Sequence, residues 1–381
     1  MHRLARLLAP TSIAVVGGRQ AELAMQQCLA LGFEGELWPV HPTRSELAGH
    51  ATAPSIAELP GSPDAALVAV NRHETIEVVA ALAAIGAGAA VCYASGFAEV
   101  GGVGIDLQTD LVAAAGPMPV LGPNCYGTVA ATVGAALWPD QQGLRRCRRG
   151  VAFVTQSGNI ALNLTMQSRR MPISHVLTVG NQADVGIEEC IEALVGDPSV
   201  SAIGLHMEAL GDVPRFEAVC RRASEADVPV VVLKTGSSTL GARIAVSHTS
   251  SMVGDATAYR VLFERLGVRQ VESIPELLDT LAVLDRLGGI PGRRLVSMSC
   301  SGGEASVVAD RAESMDLDFP AFDEGHGARI AGTLSELVSV SNPLDYHTFI
   351  WGDPGRLRAT FTAVMDGPLD AAMLVLDFPS A

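Results

Sequence analysis

The residues with chemistry to offer in this 381-residue sequence are a histidine, a carboxylate, a lone lysine and three glycine turns. His248 sits in Val246-Ser247-His248-Thr249-Ser250-Ser251, a hydroxyl-rich loop with no apolar face to pack it. An accessible imidazole, neutral near neutral pH, is a competent nucleophile toward phosphorus. Glu208 ends the apolar run Ile203-Gly204-Leu205-His206-Met207. The carboxyl end of a parallel strand is where α/β sheets hold ligands. Glu208 therefore reads either as an acid that orients an imidazole and balances its developing charge, or as a surface loop carboxylate. Lys234 ends Val230-Val231-Val232-Leu233 in the same way and is the only lysine among 26 basic residues. A compact ammonium is not interchangeable with guanidinium at a site needing a point charge.

Two of the glycine turns, Gln156-Ser157-Gly158-Asn159 and Ser299-Cys300-Ser301-Gly302-Gly303, carry hydroxyls at a helix start. Free N–H groups and the helix dipole favour phosphate there, and two such turns facing each other would hold one phosphate from both sides. The remaining turn, Gly17-Gly18-Arg19-Gln20-Ala21-Glu22, has no later glycine, which argues against a standard dinucleotide fingerprint.

These turns need strands before them and helices after them. The pattern occurs three times, opening at Ile13–Val16, Val151–Thr155 and Leu295–Ser299. Further strands are expected at Gly35–Pro39, Ala65–Val70, Ala89–Ala94 and Val120–Gly122, then at His175–Thr178, Ala202–Met207 and Val228–Leu233, and last at Ala371–Phe378. Helical spacing between them, as in Arg215–Ala226, predicts parallel, doubly wound α/β sheets. The expected domains are 1–143, Rossmann-like; 150–286, flavodoxin-like; and 292–381, a shorter flavodoxin-like domain that reads as incomplete. The arginine-rich Leu144–Gly150 and the glycine-rich Arg286–Arg294 read as linkers.

Composition narrows the function classes. Hydrophobic residues make up 48% and charged residues 18%, which fits packed parallel sheets rather than disorder. A net charge of −15 and 4% aromatic residues argue against nucleic acid as partner. The seven cysteines lack zinc spacing, so no metal site is expected, and their odd number fits a reducing cytoplasm. The uncharged stretches Val78–Ala98 and Leu111–Pro139 are broken by glycine and proline, so they read as buried α/β units rather than membrane spans.

Six motifs in order carry a resemblance: Pro123-Asn124-Cys125-Tyr126-Gly127, Val154-Thr155-Gln156-Ser157-Gly158, Gly180-Asn181-Gln182-Ala183-Asp184, Val232-Leu233-Lys234-Thr235-Gly236, Ser247-His248-Thr249 and Ser341-Asn342-Pro343-Leu344-Asp345. Together the chain resembles the NDP-forming (ADP-forming) acyl-CoA synthetases, relatives of succinyl-CoA synthetase, over essentially its whole length. The resemblance implies a CoA-binding Rossmann domain followed by two flavodoxin-like domains that share an active site. It implies that His248 is phosphorylated, that Glu208 supports it, and that Ser157, Gly158, Asn159, Ser301, Gly302 and Gly303 bind the phosphate. CoA contacts are implied at Gly17, Gly18, Pro39, Ser95, Gly96, Phe97, Pro123 and Asn124, with backbone N–H groups at Gly17-Gly18 and Ser95-Gly96 as donors. Lys234, Cys125 and Asp255 stand beside these as further candidates.

The sequence departs from the family pattern in three places. The turn after Gly17 is short, His41-Pro42-Thr43-Arg44 stands where Asn-Pro-Lys is usual, and Ser250 replaces a glycine. Nothing resembles the family's ATP-grasp module, so ATP/ADP and Mg²⁺ are expected to be handled downstream or on another subunit, in a homo- or hetero-oligomer. The function this implies is that portion of an acid–CoA ligase which activates a small carboxylic acid as an acyl phosphate and passes it to CoA. A CoA-sensing regulatory module and a nicotinamide oxidoreductase are the alternatives. Tyr126, Trp138 and Pro139 read either as an aromatic-acid wall or as core.

Overall fold

The computed structural model describes residues 2–238, 240 and 256–376. The chain divides into two compact units, Met1–Gly288 and Gly289–Ala381. In the first unit, a short helix α1 (Ala5–Leu8) leads into β1 (Ser12–Gly17), every residue of which is buried. A continuous apolar run of this kind belongs at the centre of a parallel sheet covered on both faces. Then follow α2 (Arg19–Leu31), β2 (Glu36–Val40), a small hairpin β3–β4 (Glu46–Leu47, His50–Ala51), β5 (Ala65–Ala69), α3 (Arg72–Ala84), β6 (Ala90–Cys92), α4 (Val103–Ala115) and β7 (Val120–Leu121). Helix α2 stops at Gly32, whose left-handed φ of 77° lets its N–H reach back to the carbonyls of Cys28 and Leu29. Helix α3 starts at Asn71, whose side chain accepts from the N–H groups of His73 and Glu74. The five strands pair in parallel in the order β2-β1-β5-β6-β7.

A second sheet is built from β8 (Thr128–Ala130), β9 (Ala135–Leu137), β10 (Gly150–Thr155), then, after α5 (Gly158–Thr165), β11 (Ile173–Thr178), α6 (Ile187–Val195), β12 (Val200–Met207), α7 (Val213–Glu225), β13 (Val230–Lys234), α8 (Ala256–Leu266), β14 (Arg269–Val271) and α9 (Ile274–Leu287). Its order is β14-β13-β12-β10-β11-β8-β9. The strands pair in parallel except at β8, which runs antiparallel to both β11 and β9. The β8–β9 hairpin lies within the stretch expected to form the first domain, yet it completes the second sheet. Gly127 makes its close approach possible: a Cβ there would stand 1.9 Å from the Leu137 carbonyl oxygen. The expected helix Arg215–Ala226 is α7, and the expected strands of this unit appear to within two residues at their ends.

The second unit is a parallel three-stranded sheet, β16-β15-β17, of β15 (Leu295–Ser299), β16 (Leu344–Asp345) and β17 (Ala371–Leu374). Helices α10 (Gly302–Glu313), α11 (Glu324–Ala331) and α12 (Pro354–Met365) accompany it around a core that includes Val296, Met298, Ile330, Leu344 and Val364. The strand expected over Ala371–Phe378 is described only as β17, and residues 377–381 lie outside the described residues. Met373 and Leu374 of this strand are exposed. Among the described residues no helix is long and apolar enough to cross a membrane, and no group of three or more His, Cys, Asp or Glu side chains is placed to hold a metal ion.

Candidate active site

The first unit contains a cavity of about 850 Å³ whose walls come from both of its sheets. On one side are Gln20, Arg72, Tyr93, Ser95, Asn124, Cys125 and Tyr126; on the other are Gln156, Ser157, Gly158, Asn159, Asn181 and Glu208. Expected CoA-contact residues (Ser95, Asn124) and expected phosphate-binding residues (Ser157, Gly158, Asn159) thus share one space with Glu208.

The wall formed by β10 and α5 is built from its backbone outward. Ser157 caps α5, its Oγ accepting from the Ile160 N–H at 3.4 Å. Thr155 Oγ1 accepts from the Ser157 N–H at 3.0 Å and fixes the turn. Gly158 follows, and any side chain there would collide with Tyr126, whose Cδ2 lies 2.0 Å from an ideal Cβ position. The Tyr126 ring in turn packs 5.4 Å from Trp138 and 6.4 Å from Tyr93, centroid to centroid. Trp138 is fully buried core, whereas Tyr126 and Tyr93 face the cavity.

Glu208 is held by a neighbour that sequence reasoning quoted without a role. Gln156, at the end of β10, donates from Nε2 to the Ala209 carbonyl at 2.8 Å. Its Oε1 accepts from the backbone N–H groups of Glu208 and Ala209. This amide ties the end of β10 to the backbone that carries the carboxylate. A polar amide closing an apolar strand was the only signal.

Behind this wall His206 is packed rather than exposed, with Nδ1 3.1 Å from Thr155 Oγ1 and Nε2 3.1 Å from Thr235 Oγ1. Burial, reinforced by the charge of Lys234, lowers its pKa from 6.5 to about 4. The folded chain therefore keeps this imidazole neutral where the unfolded chain would protonate it. That contribution to stability is complete above pH 6.5 and is lost as pH falls from there toward 4. We expect stability to fall in that window at roughly 1.4 kcal/mol per pH unit, about 3 kcal/mol in all. Urea titrations of the parent and of His206→Gln should differ in slope against pH between those limits; parallel curves would refute the assignment.

Lys234 is buried and does not face the cavity. Its ammonium donates to the Thr235 carbonyl and lies 4.6 Å from the centroid of Tyr259, a cation–π contact. Burial lowers its pKa, against the charge of Glu208. Cys125 borders the cavity, but burial pushes its thiol up to about 12, so it offers no thiolate.

On the other wall, Gly96 takes a φ of 95° and the loop folds back on itself. The N–H groups of Gly96 and Phe97 both donate to the Glu99 carboxylate, at 2.5 and 3.1 Å, and Asn181 Nδ2 donates to the same carboxylate. The Gly96 amide expected to meet CoA is therefore occupied from within the chain. Phe97 is wholly buried, and Gly17, Gly18, Pro39 and Pro123 lie outside the cavity lining. Gly17 is bare backbone between strands, since a Cβ there would stand 2.4 Å from the Ala69 carbonyl oxygen. Asn124 reaches Asn181 Oδ1 at 3.3 Å, and Gly180 permits that approach because a Cβ there would stand 2.3 Å from the Pro123 carbonyl.

Ser301, Gly302 and Gly303 open α10 in the second unit, where Ser301 Oγ accepts from the Glu304 N–H at 3.4 Å. His248 and Asp255 lie outside the described residues.

Residues 11–131 match the family model of a CoA binding domain, and residues 148–284 match that of a succinyl-CoA ligase like flavodoxin domain. Over 354 residues the chain is 28% identical to the alpha subunit of an ADP-forming acetate–CoA ligase II of Pyrococcus furiosus, covering 88% of this chain and 74% of that one. In both of these domains the chain is similar to ADP-forming acid–CoA ligases. It is also 31% identical over 377 residues to a trans-feruloyl-CoA synthase from an unknown prokaryotic organism, covering 96% of this chain and 53% of that protein. It thus spans about half the length of that relative. A structure of a dinucleotide forming acetyl-coenzyme A synthetase 1 of Ca. Korarchaeum cryptofilum, in complex with phosphate and ADP, superposes with a TM-score of 0.85 at 26% identity, over 97% of this chain and 81% of that one.

Proposed function

We propose that this chain is the CoA-binding and phosphohistidine portion of an ADP-forming acid–CoA ligase. The observation that carries the reading is the single cavity shared by the two domains that the family models match, with Ser95 and Asn124 facing Ser157–Asn159 and Glu208 across it. In this reading 1–143 is the CoA-binding domain, 150–286 the flavodoxin-like domain with the histidine loop, and 292–381 the second flavodoxin-like domain. Within them Ser95 and Asn124, which line the cavity, meet CoA, while Gly17, Gly18, Pro39, Gly96, Phe97 and Pro123 shape the strand ends and loops around it. The Ser157-Gly158-Asn159 and Ser301-Gly302-Gly303 turns serve phosphate.

The proposed reaction runs in three balanced steps. His248 takes a phosphoryl group from ATP and releases ADP. The acid's carboxylate takes that group from the imidazole and becomes an acyl phosphate. The CoA sulfur then attacks the acyl carbon and expels inorganic phosphate. Glu208 keeps a proton on one ring nitrogen, which makes the other the nucleophile. ATP and its Mg²⁺ belong to an ATP-grasp module, on the remainder of a longer chain or on a partner subunit. The half-length match to the feruloyl-CoA synthase supports that division. The seven unpaired cysteines fit a reducing cytoplasm.

With about 850 Å³ and a lining of amides, hydroxyls and one guanidinium, the cavity suits CoA in size and chemistry. Isothermal titration should give saturable binding of CoA, retained by desulfo-CoA because the phosphates and pantetheine, not the thiol, supply the contacts. A folded chain that takes up neither would overturn the reading.

A further inference from the structure

The cavity presents two charged side chains, Glu208 and Arg72. Among the described residues that line it, Arg72 is the single cation. It opens α3, directly after the Asn71 cap, and its Nη1 donates to the Gly96 carbonyl at 2.9 Å. The guanidinium lies against the bare backbone of Gly96, where an ideal Cβ would stand 3.0 Å from both Cδ and Nη1. The fork is thus held in place by one bond while its other N–H groups remain available. No carboxylate among the described residues lies within ion-pairing distance of Arg72, unlike Arg3, Arg6 and Arg44.

Two other groups of this domain with anion-binding chemistry are already engaged. Arg44 stands in the segment where the family pattern has lysine, but it pairs with Glu22 at 3.3 Å. The Gly96 and Phe97 amides are taken by Glu99. An anion entering this wall of the cavity therefore meets Arg72.

We infer that Arg72 is the residue that binds a phosphate of CoA in this chain, in place of the basic residue after β2. The inference rests on the proposed reading that CoA occupies this cavity. A charge-assisted bond to phosphate, made by a planar fork, is among the stronger polar contacts.

The test is calorimetric titration of the parent, Arg72→Gln, Arg72→Lys and Arg44→Gln with CoA, 3′-dephospho-CoA and pantetheine. Arg72→Gln should lose roughly 10–100-fold in CoA affinity. It should leave pantetheine, which has no phosphate, unchanged. Arg72→Lys keeps the charge without the fork, should lose less, and covers the case in which the glutamine variant fails to fold. Arg44→Gln should stay within about twofold of the parent. A loss that persists with 3′-dephospho-CoA assigns the contact to the diphosphate; one that disappears assigns it to the 3′-phosphate. CoA bound equally by parent and Arg72 variants overturns the inference and leaves the CoA reading standing. An equal loss for pantetheine also overturns it, since the effect would then not be on phosphate. Failure of the folded parent to bind CoA removes both.

Discussion

Replacing His248 with alanine abolishes transfer of labelled phosphate from ATP to the chain, while CoA still binds in the first unit with parental affinity. This is the expected result, in the presence of the ATP-grasp module, if the phosphoryl group resides on that imidazole. The label on the parent should be acid-labile and base-stable, as a phosphoramidate is and a phosphoserine is not. A serine or threonine needs an adjacent base to become nucleophilic at neutral pH, so the hydroxyls of Ser247, Thr249 and Ser250 are not expected to take over when the imidazole is removed. Glu208→Gln keeps the shape and removes the charge. It should slow phosphotransfer by roughly 10²–10⁴ and shift the acidic limb of the pH profile, which a merely structural role would not move. A His248→Ala chain that still becomes labelled, or still supports acyl-CoA formation near the parental rate, would sink the mechanism.

The second large effect is expected at Gly158. An alanine here would drive its methyl into the Tyr126 ring, 2.0 Å from Cδ2, with Trp138 buried behind that ring. The ring packs against Trp138 and Tyr93, so either α5 or Tyr126 must shift and break those contacts. Overpacking of this kind costs about 1–3 kcal/mol. Both elements line the cavity, so CoA binding and phosphotransfer should fall with stability. The check is a double-mutant cycle. Tyr126→Ala removes the obstacle, so the pair Gly158→Ala/Tyr126→Ala should be less destabilised than the sum of the singles, by about 1 kcal/mol or more. Additive effects in chemical denaturation would mean that the two residues do not press on each other.

Much of this was readable in the sequence, and the reason differs by element. The central strands β1, β10 and β12 are continuous apolar runs, which only a sheet covered on both faces accommodates, so their positions followed from composition alone. The β8–β9 hairpin did not, because Thr128–Leu137 is a run of small and apolar residues without alternation, inside a longer uncharged stretch. Strand β14, with Arg269 exposed and Gln270 half-buried, lacks any apolar run. At the site, Ser157, Gly158 and Glu208 were legible because strand ends and glycine turns mark the ligand side of such sheets. Gln156, Asn181, Glu99 and Arg72 were not. Their roles arise from loops that meet across 24 to 82 residues of chain, and no local pattern encodes such a meeting. Arg72 was one arginine among many until its neighbours were known.

The β8–β9 hairpin has a consequence for how the chain can be taken apart. Its sequence travels with the CoA-binding half, but its hydrogen bonds belong to β11. A crossover placed in the arginine-rich stretch at 144–150, where the composition invites a cut, would deliver the hairpin to one recombinant piece and strip it from the sheet it completes. The flavodoxin half would then carry an open edge at β11, a ready template for another strand. A crossover just before Gly127 would keep the hairpin with its sheet. For this chain, the boundary of inheritance and the boundary of folding lie on opposite sides of the Thr128–Leu137 hairpin.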